Sequence, residues 1–250
     1  MLAYSHDFMP PKLSVNVNKL ALIRNSRNEG VPNISHLARC ILDWGAFGIT
    51  VHPRPDGRHV RYADVHDLSA LLAEYPDREF NVEGYPTDSF MDLVMAVKPD
   101  QVTLVPDPPD ALTSSFGWDV VVDYDRLSSV LGQLRSAGIR SSLFIDPVVP
   151  NCEVLSKLSP DRVELYTYDY AHQYTANREA AVAPYQMVAK AIDSIGIGLN
   201  AGHDLNLDNL NYFVTQIPIL SEVSIGHALV CQALIDGLES TVQQYLTQLQ

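Results

Sequence analysis

Short apolar runs alternate with stretches of helical periodicity from residue 13 to the end of the chain. Leu13–Asn18, Phe47–His52, Glu79–Glu83, Gln101–Val105, Arg140–Ile145, Arg162–Tyr166, Gly196–Asn200 and Glu222–Gly226 have the length and residue content of strands. Between them, Ile34–Trp44 carries Leu37, Ile41 and Trp44 on one helical face, and Asp64–Tyr75 gathers Val65, Leu68, Leu71 and Leu72. Thr87–Val97, Tyr124–Ala137, Asn151–Leu158, Asn177–Ile195, Leu207–Val214 and Ala228–Leu249 complete the predicted helices. Ser35, Asp64 and Asn206 are the expected N-caps, Gly138 closes Tyr124–Ala137, and irregular backbone is expected around Pro184. Pro106 to Asp119 holds three prolines and no periodicity, as functional or mobile loops do.

Eight strand–helix units in 250 residues predict an α/β chain folded as one (β/α)8 TIM barrel over residues 13–250, with residues 1–12 as an N-terminal extension. Strands of such a barrel are expected to be apolar and buried on both faces. No Gly-x-Gly-x-x-Gly follows a strand, which argues against a dinucleotide cofactor.

Charge narrows the function classes. The formal net charge of −13 leaves no broad basic face for nucleic acid, while the arginines at 24–27 and 54–61 still suit a small anion. No run of 18 apolar residues predicts a membrane span, and Met1 to Lys12 lacks the pattern of a signal peptide. Cys40, Cys152 and Cys231 form no C-x-x-C pair and read as reduced, mostly buried thiols of a cytoplasmic protein.

Candidate chemistry collects where the strands end, the face on which barrel enzymes build their sites. That rim gathers Asn16, Asn18, His52, Arg54, Glu83, Asp146, Glu164, Tyr166, His203, Gly226 and His227. Histidines and carboxylates around one mouth can exchange protons near neutral pH. His52 and Glu83 close neighbouring strands, and a desolvated Glu83 would have a raised pKa and act as a base. His203 lies across the barrel in a glycine-containing turn. The same three side chains could instead ligate a metal, although no fixed metal spacing is present. Gly226 ends the last strand before a helix, an arrangement that binds phosphate through free backbone N–H groups. Arg27, Arg54, Arg58 and His59 could hold a second anion. Lys19 could form a Schiff base or simply pair with an anion.

Several segments, in order, resemble one family. Asn16-Val17-Asn18-Lys19 with Arg24-Asn25-Ser26-Arg27, Gly48 through Arg54 with Arg58-His59, Asn81-Val82-Glu83, Leu104-Val105-Pro106, Ser142 through Asp146, Asn200-Ala201-Gly202-His203 and Ile225-Gly226-His227-Ala228 are similar to pyridoxine 5′-phosphate synthase of the deoxyxylulose-dependent vitamin B6 pathway. The resemblance implies condensation of 3-amino-2-oxopropyl phosphate with 1-deoxy-D-xylulose 5-phosphate, giving pyridoxine 5′-phosphate, phosphate and water. It implies no metal or organic cofactor. It makes His52 and Glu83 proton acceptors and His203 a proton donor. Substrate contacts would fall on Asn16, Asn18, Lys19, Arg27, Arg54, His59, Thr113, Asp204, Gly226 and His227. It further implies a homo-octamer built as a tetramer of dimers, and makes Pro106 to Asp119 a lid from which Thr113 reaches the substrate.

The departures from the family pattern are local. Asn18-Lys19 stands for Asp-His, Asp204 for a glycine, Tyr166-Thr167-Tyr168 for His-Thr-Gly, and Phe116-Gly117 for paired glycines. The proton-transfer positions are kept while the deoxyxylulose phosphate pocket changes. Two rival readings follow: another sugar-phosphate aldolase or isomerase that recruits Lys19, or a phosphate-binding barrel without turnover. Retention of His52, Glu83 and His203 together argues against the second.

Overall fold

The computed structural model describes residues 10–27, 29–107 and 114–250. Eight parallel strands close in chain order: β1 (Lys12–Asn16), β2 (Gly48–Val51), β3 (Glu79–Gly84), β4 (Gln101–Leu104), β5 (Arg140–Ile145), β6 (Arg162–Tyr166), β7 (Gly198–Gly202) and β8 (Leu220–Ile225). The ring shuts where β8 pairs with β1, Val15 lying opposite Ile225. The predicted TIM barrel is therefore the fold.

The helices around the ring are α1 (Asn18–Asn25), α2 (Ile34–Asp43), α3 (Tyr62–Leu72), α4 (Asp88–Val97), α5 (Tyr124–Ser136), α6 (Cys152–Leu158), α7 (Tyr168–Gln173), α8 (Arg178–Ser194), α9 (Leu210–Gln216), α10 (His227–Asp236) and α11 (Leu238–Gln248). Two of them, α1 and α7, were not expected. Both are short, follow a strand directly and lack a capping hydrogen bond, although Thr167 stands at the N-cap of α7 with Asp169 in its first turn. The predicted last helix is two, broken at Gly237, whose φ of +83° is open to glycine and costly for other residues.

Caps also differ from expectation. Asn33, not Ser35, accepts the His36 N–H at 2.9 Å to start α2. Asp64 sits one turn inside α3 and reaches back to the Arg61 N–H at 2.7 Å. Asn206 builds the turn before α9 by accepting from the Asp208 and Asn209 N–H groups. Pro184 lies within a continuous α8, and Gly138, with φ +74°, closes α5 as expected. The cysteines are less buried than predicted: Cys40 and Cys152 are half-buried and Cys231 is exposed.

The strands are apolar mainly on one face, Phe144 on β5 being an inward-facing exception. Leu13, Val15, Ile49, Val51, Phe80, Val82, Val102, Leu104, Leu143, Val163, Leu165, Leu199, Val223 and Ile225 pack outward into the helix layer. That cylinder between strands and helices is the hydrophobic core, each large side chain contributing roughly 1.5–3 kcal/mol on burial. Alternate positions turn polar groups inward, where they find one another. At the floor, Arg140 pairs with Glu79, Arg162 lies 3.2 Å from Glu222, and Gln101 accepts from both arginines. Midway, the Ser14 and Thr50 hydroxyls meet at 2.7 Å, and Asn81 links Thr50 to Thr103. The two-face apolar expectation fails because a closed ring can satisfy polar groups inside itself. No helix among the described residues is long and apolar enough to cross a membrane.

Candidate active site

Above those two tiers the barrel opens into a mouth whose side chains come from successive strand ends. His52 follows β2 and is 7% exposed. Its backbone N–H donates to Asn18 Oδ1 at 3.0 Å, and its Nδ1 stands 3.8 Å from Glu83 Oε2. Asn16 at the end of β1 donates through Nδ2 to Glu83 Oε2 at 3.5 Å and accepts the Asn18 N–H at 3.0 Å. Three strands thus converge on one carboxylate–imidazole pair, with α1 beginning at the amide that anchors the histidine's backbone.

Burial dominates the electrostatics here. It holds His52 well below the ordinary histidine range, assisted by Arg54, His59, His203 and Arg58. Burial, reinforced by Asp107 and opposed by Arg54, pushes Glu83 up to about 8. Glu164 on β6 is raised well above the usual carboxylate range by burial and by Glu83. At neutral pH the mouth therefore offers a neutral imidazole beside carboxyl groups that retain protons. That inventory suits proton exchange with a bound molecule.

His203 occupies the turn after β7, half-buried, with its ring 5.0 Å from Phe144 and 5.3 Å from Tyr166. Burial lowers its pKa, while Asp204 and Asp107 work in the opposite direction. The His59 ring lies 6.5 Å from that of His52, and the charges of His59 and His203 both lower His52.

The second-anion candidates divide. Arg54 is 4% exposed and donates from Nη2 to Asp107 Oδ2 at 2.6 Å; Ser114 Oγ donates to the same oxygen at 2.6 Å. His59 is half-buried, its ring 6.5 Å from that of His52, and burial with Arg54 and Lys19 lowers it to about 4. Its loop is tied down by α1: Asn25 Nδ2 donates to the carbonyls of Gly57, Arg58 and His59, and Arg24 adds a bond to His59 while pairing with Asp64. Lys19, half-buried on α1, is close enough to depress His59. Arg27 is exposed and 3.4 Å from Glu29. Thr113 lies outside the described residues, as does the middle of the predicted lid.

Gly226 shows why that position is glycine. A Cβ there would sit 3.0 Å from Asn16 Cβ and 3.1 Å from its carbonyl oxygen, across the seam that closes the ring. The close approach brings the start of α10, with exposed His227, beside Asn16. Gly202 is constrained similarly, since its absent Cβ would lie 2.4 Å from Glu164 Oε1.

Sequence reasoning missed three contributors. Asp107, which holds Arg54, sits among prolines past β4, where one acidic residue looks like loop chemistry. Glu164 was placed on the rim without a role, although a carboxylate inside the apolar run of β6 was a usable signal. Thr167, seen in the sequence only as the middle of Tyr166-Thr167-Tyr168, gives no local sign that its hydroxyl donates to the Gly202 carbonyl on the next strand.

The described residues hold no group of three or more His, Cys, Asp or Glu arranged for a metal ion. His52, Glu83 and His203 do not come together as a ligand set.

Comparison with known proteins agrees with this arrangement. Residues 13–250 match the family model described as pyridoxal phosphate biosynthesis protein PdxJ. A protein of Bacteroides fragilis named pyridoxine 5′-phosphate synthase is 55% identical over 234 residues, covering 94% of this chain and 97% of its own length. Proteins of the same name from Parabacteroides distasonis and Christiangramia forsetii are 52% and 51% identical, over 93% and 94% of this chain and 96% and 98% of theirs. Among solved structures, 3-keto-L-gulonate-6-phosphate decarboxylase of Vibrio cholerae superposes with a TM-score of 0.61 at 11% identity, covering 96% of this chain and 98% of its own. The tryptophan synthase alpha subunit of Campylobacter jejuni gives 0.59 at 12%, covering 95% and 96%. The structural likenesses show the barrel alone, whereas the sequence matches run almost end to end: this chain belongs to the PdxJ family.

Proposed function

We infer that the chain is a pyridoxine 5′-phosphate synthase, condensing 3-amino-2-oxopropyl phosphate with 1-deoxy-D-xylulose 5-phosphate by acid–base chemistry. The observation that carries the reading is the buried His52–Glu83 pair at 3.8 Å beneath a mouth that also receives His203. Joining the amine to the ketone forms an imine and releases water. Loss of phosphate, an aldol-type closure and loss of a second water complete the aromatic ring. Each step moves protons, and each substrate brings a phosphate.

His52 is neutral at physiological pH and serves as the acceptor that is ready first. Glu83, roughly a tenth ionised at pH 7 for a pKa near 8, accepts in its ionised form and returns its proton afterwards. His203, on the opposite side, donates to the departing oxygen. The N-terminus of α10 at Gly226-His227, beside Asn16, receives one phosphate through free N–H groups. Arg54, His59 and Lys19, with Asn18 behind them, form the polar wall for the second substrate. Arg27, Thr113 and Asp204 complete the contacts when both substrates are bound.

Copies assemble into a tetramer of dimers. Support comes from Leu22 and Ile23 on α1 and Leu234 and Ile235 on α10, which are exposed, Ile235 by 79%. Light scattering of the purified protein tests this, and a monomer at working concentration would reject it.

The deciding experiment supplies both substrates to purified protein and assays pyridoxine 5′-phosphate, with His203→Ala in parallel. Product from the wild type and turnover lowered about a thousandfold in the variant is expected. No product from folded wild type that still binds one of the phosphates would overturn the reading.

A further inference from the structure

The turn carrying His203 has an unusual backbone. His203 and Asp204 both lie in the left-handed region, with φ of +78° and +58°. Side chains with a Cβ are disfavoured there, and two in succession persist only where surrounding groups hold them. Thr167, fully buried immediately after β6, is the group best placed to do so. Its hydroxyl donates to the Gly202 carbonyl at 2.6 Å and lies against the His203 carbonyl, while its backbone N–H donates to Gly202 O at 3.1 Å. One hydroxyl proton is thus shared between the two carbonyls that flank the Gly202–His203 peptide's entry into the turn.

The far side of the turn is held separately. Asn209, buried, donates to the Asp204 carbonyl at 3.3 Å, and it is itself fixed by the Asn206 N–H at 2.8 Å and by Tyr170 Oη on its carbonyl at 2.6 Å. Phe144 and Tyr166 bracket the imidazole. With the ring's flanks set by packing, the hydroxyl of Thr167 remains as the control on where the His203 backbone starts.

We propose that Thr167 is the positioning residue of His203, its hydroxyl gripping the Gly202 and His203 carbonyls so that the left-handed turn aims the imidazole into the barrel mouth. The proposal rests on His203 being the proton donor. Thr167 touches no substrate and acts only through the turn.

Steady-state kinetics of Thr167→Val and Thr167→Ser, each alone and in the His203→Ala background, test it. Valine keeps the shape and removes the hydroxyl; serine restores the hydroxyl. Thr167→Val is expected to lower kcat about 10- to 100-fold with KM for both substrates within about threefold. Serine should recover kcat to within about threefold of wild type. The limb of the pH profile that disappears in His203→Ala should shift in Thr167→Val, and adding Thr167→Val to His203→Ala should cost little more. If Thr167→Val fails to fold, Thr167→Ala carries the same comparison. An unchanged kcat in Thr167→Val beside a His203→Ala slowed about a thousandfold would overturn the positioning role and leave the site reading intact. An equal loss in the His203→Ala background would mean that Thr167 supports the fold alone. A His203→Ala as active as wild type would sink the site reading and this proposal with it.

Discussion

The floor and the mouth of this barrel are built from the same kinds of residue and behave differently. Both are buried and both contain carboxylates. At the floor, Glu79 and Glu222 are matched by Arg140 and Arg162, and Gln101 and Asn200 take up further guanidinium donors. At the mouth, Glu83 faces an imidazole and an amide, and Arg54 is already bonded to Asp107. Glu222 is raised by burial and by Glu79, but there Arg162 and Arg140 both pull in the opposite direction. The comparison separates two uses of a buried acid. Paired with arginine it is a fixed strut; facing histidine it has the surroundings of the proton carrier proposed above.

The sharpest way to break the comparison is to remove the proton from the mouth. Glu83→Gln should lower turnover by about a thousandfold while KM moves little. The same change should stabilise the fold at high pH. A carboxyl whose folded pKa lies above its unfolded value favours folding fully below the unfolded pKa, near 4.5. That contribution fades as pH rises toward about 8. Glutamine has no such penalty, so the variant's unfolding free energy at pH 8.5 should exceed wild type by about 1–3 kcal/mol, measured by urea denaturation. Equal stability at pH 8.5 would mean that Glu83 is not desolvated.

The floor should respond in the opposite sense. Arg162→Met leaves Glu222 without its arginine and should cost about 3–5 kcal/mol, with kcat of the folded fraction within about threefold of wild type. Adding Glu222→Met should restore much of that loss, since a buried pair replaced by apolar groups is close to neutral. A large fall in kcat without loss of stability would show that the two tiers are not separate.

Between these lies the pH profile. With Glu83 as acceptor, kcat/KM should climb up to about tenfold per pH unit below its pKa near 8, and Glu83→Gln should flatten that limb. A profile flat from pH 6 to 9 would remove Glu83 from the proton path. The smallest effect is expected at Asp204. Asp204→Gly relieves a left-handed residue and should add up to about 1 kcal/mol of stability. It also removes the charge that supports protonation of His203, so the limb assigned to that histidine should move slightly toward lower pH.

Much of this was legible in the sequence, for identifiable reasons. Alternating strands and helices pointed to the barrel because each of the eight apolar runs expected as a strand overlaps a strand of the ring. His52, Glu83 and His203 were visible because titratable residues at the ends of apolar runs are out of place by composition alone. The inward polar tiers were not visible. Ser14, Thr50, Asn81 and Thr103 read as interruptions of strands until the closed ring shows that each finds the next. The sequence offers Asn18 as a substrate contact and gives no hint of the bond by which it also holds the His52 N–H. The clamp on His203 depends on a 36-residue separation between Thr167 and the carbonyl it grips, which local pattern cannot carry.

The seam between β8 and β1 has one more consequence, for the order in which the protein is made. Lys12 pairs with Glu222 and Val15 with Ile225, so the first strand waits for the last to leave the ribosome. Asn16 cannot meet Gly226 until some nine-tenths of the chain has been synthesised, and contacts this distant in sequence form late. A nascent chain can stack its helices against the early strands long before the start of α10 meets Asn16. Competence for chemistry therefore arrives in a single event at the end of synthesis, and a chain stalled short of β8 would be a half-open sheet with no mouth to fill.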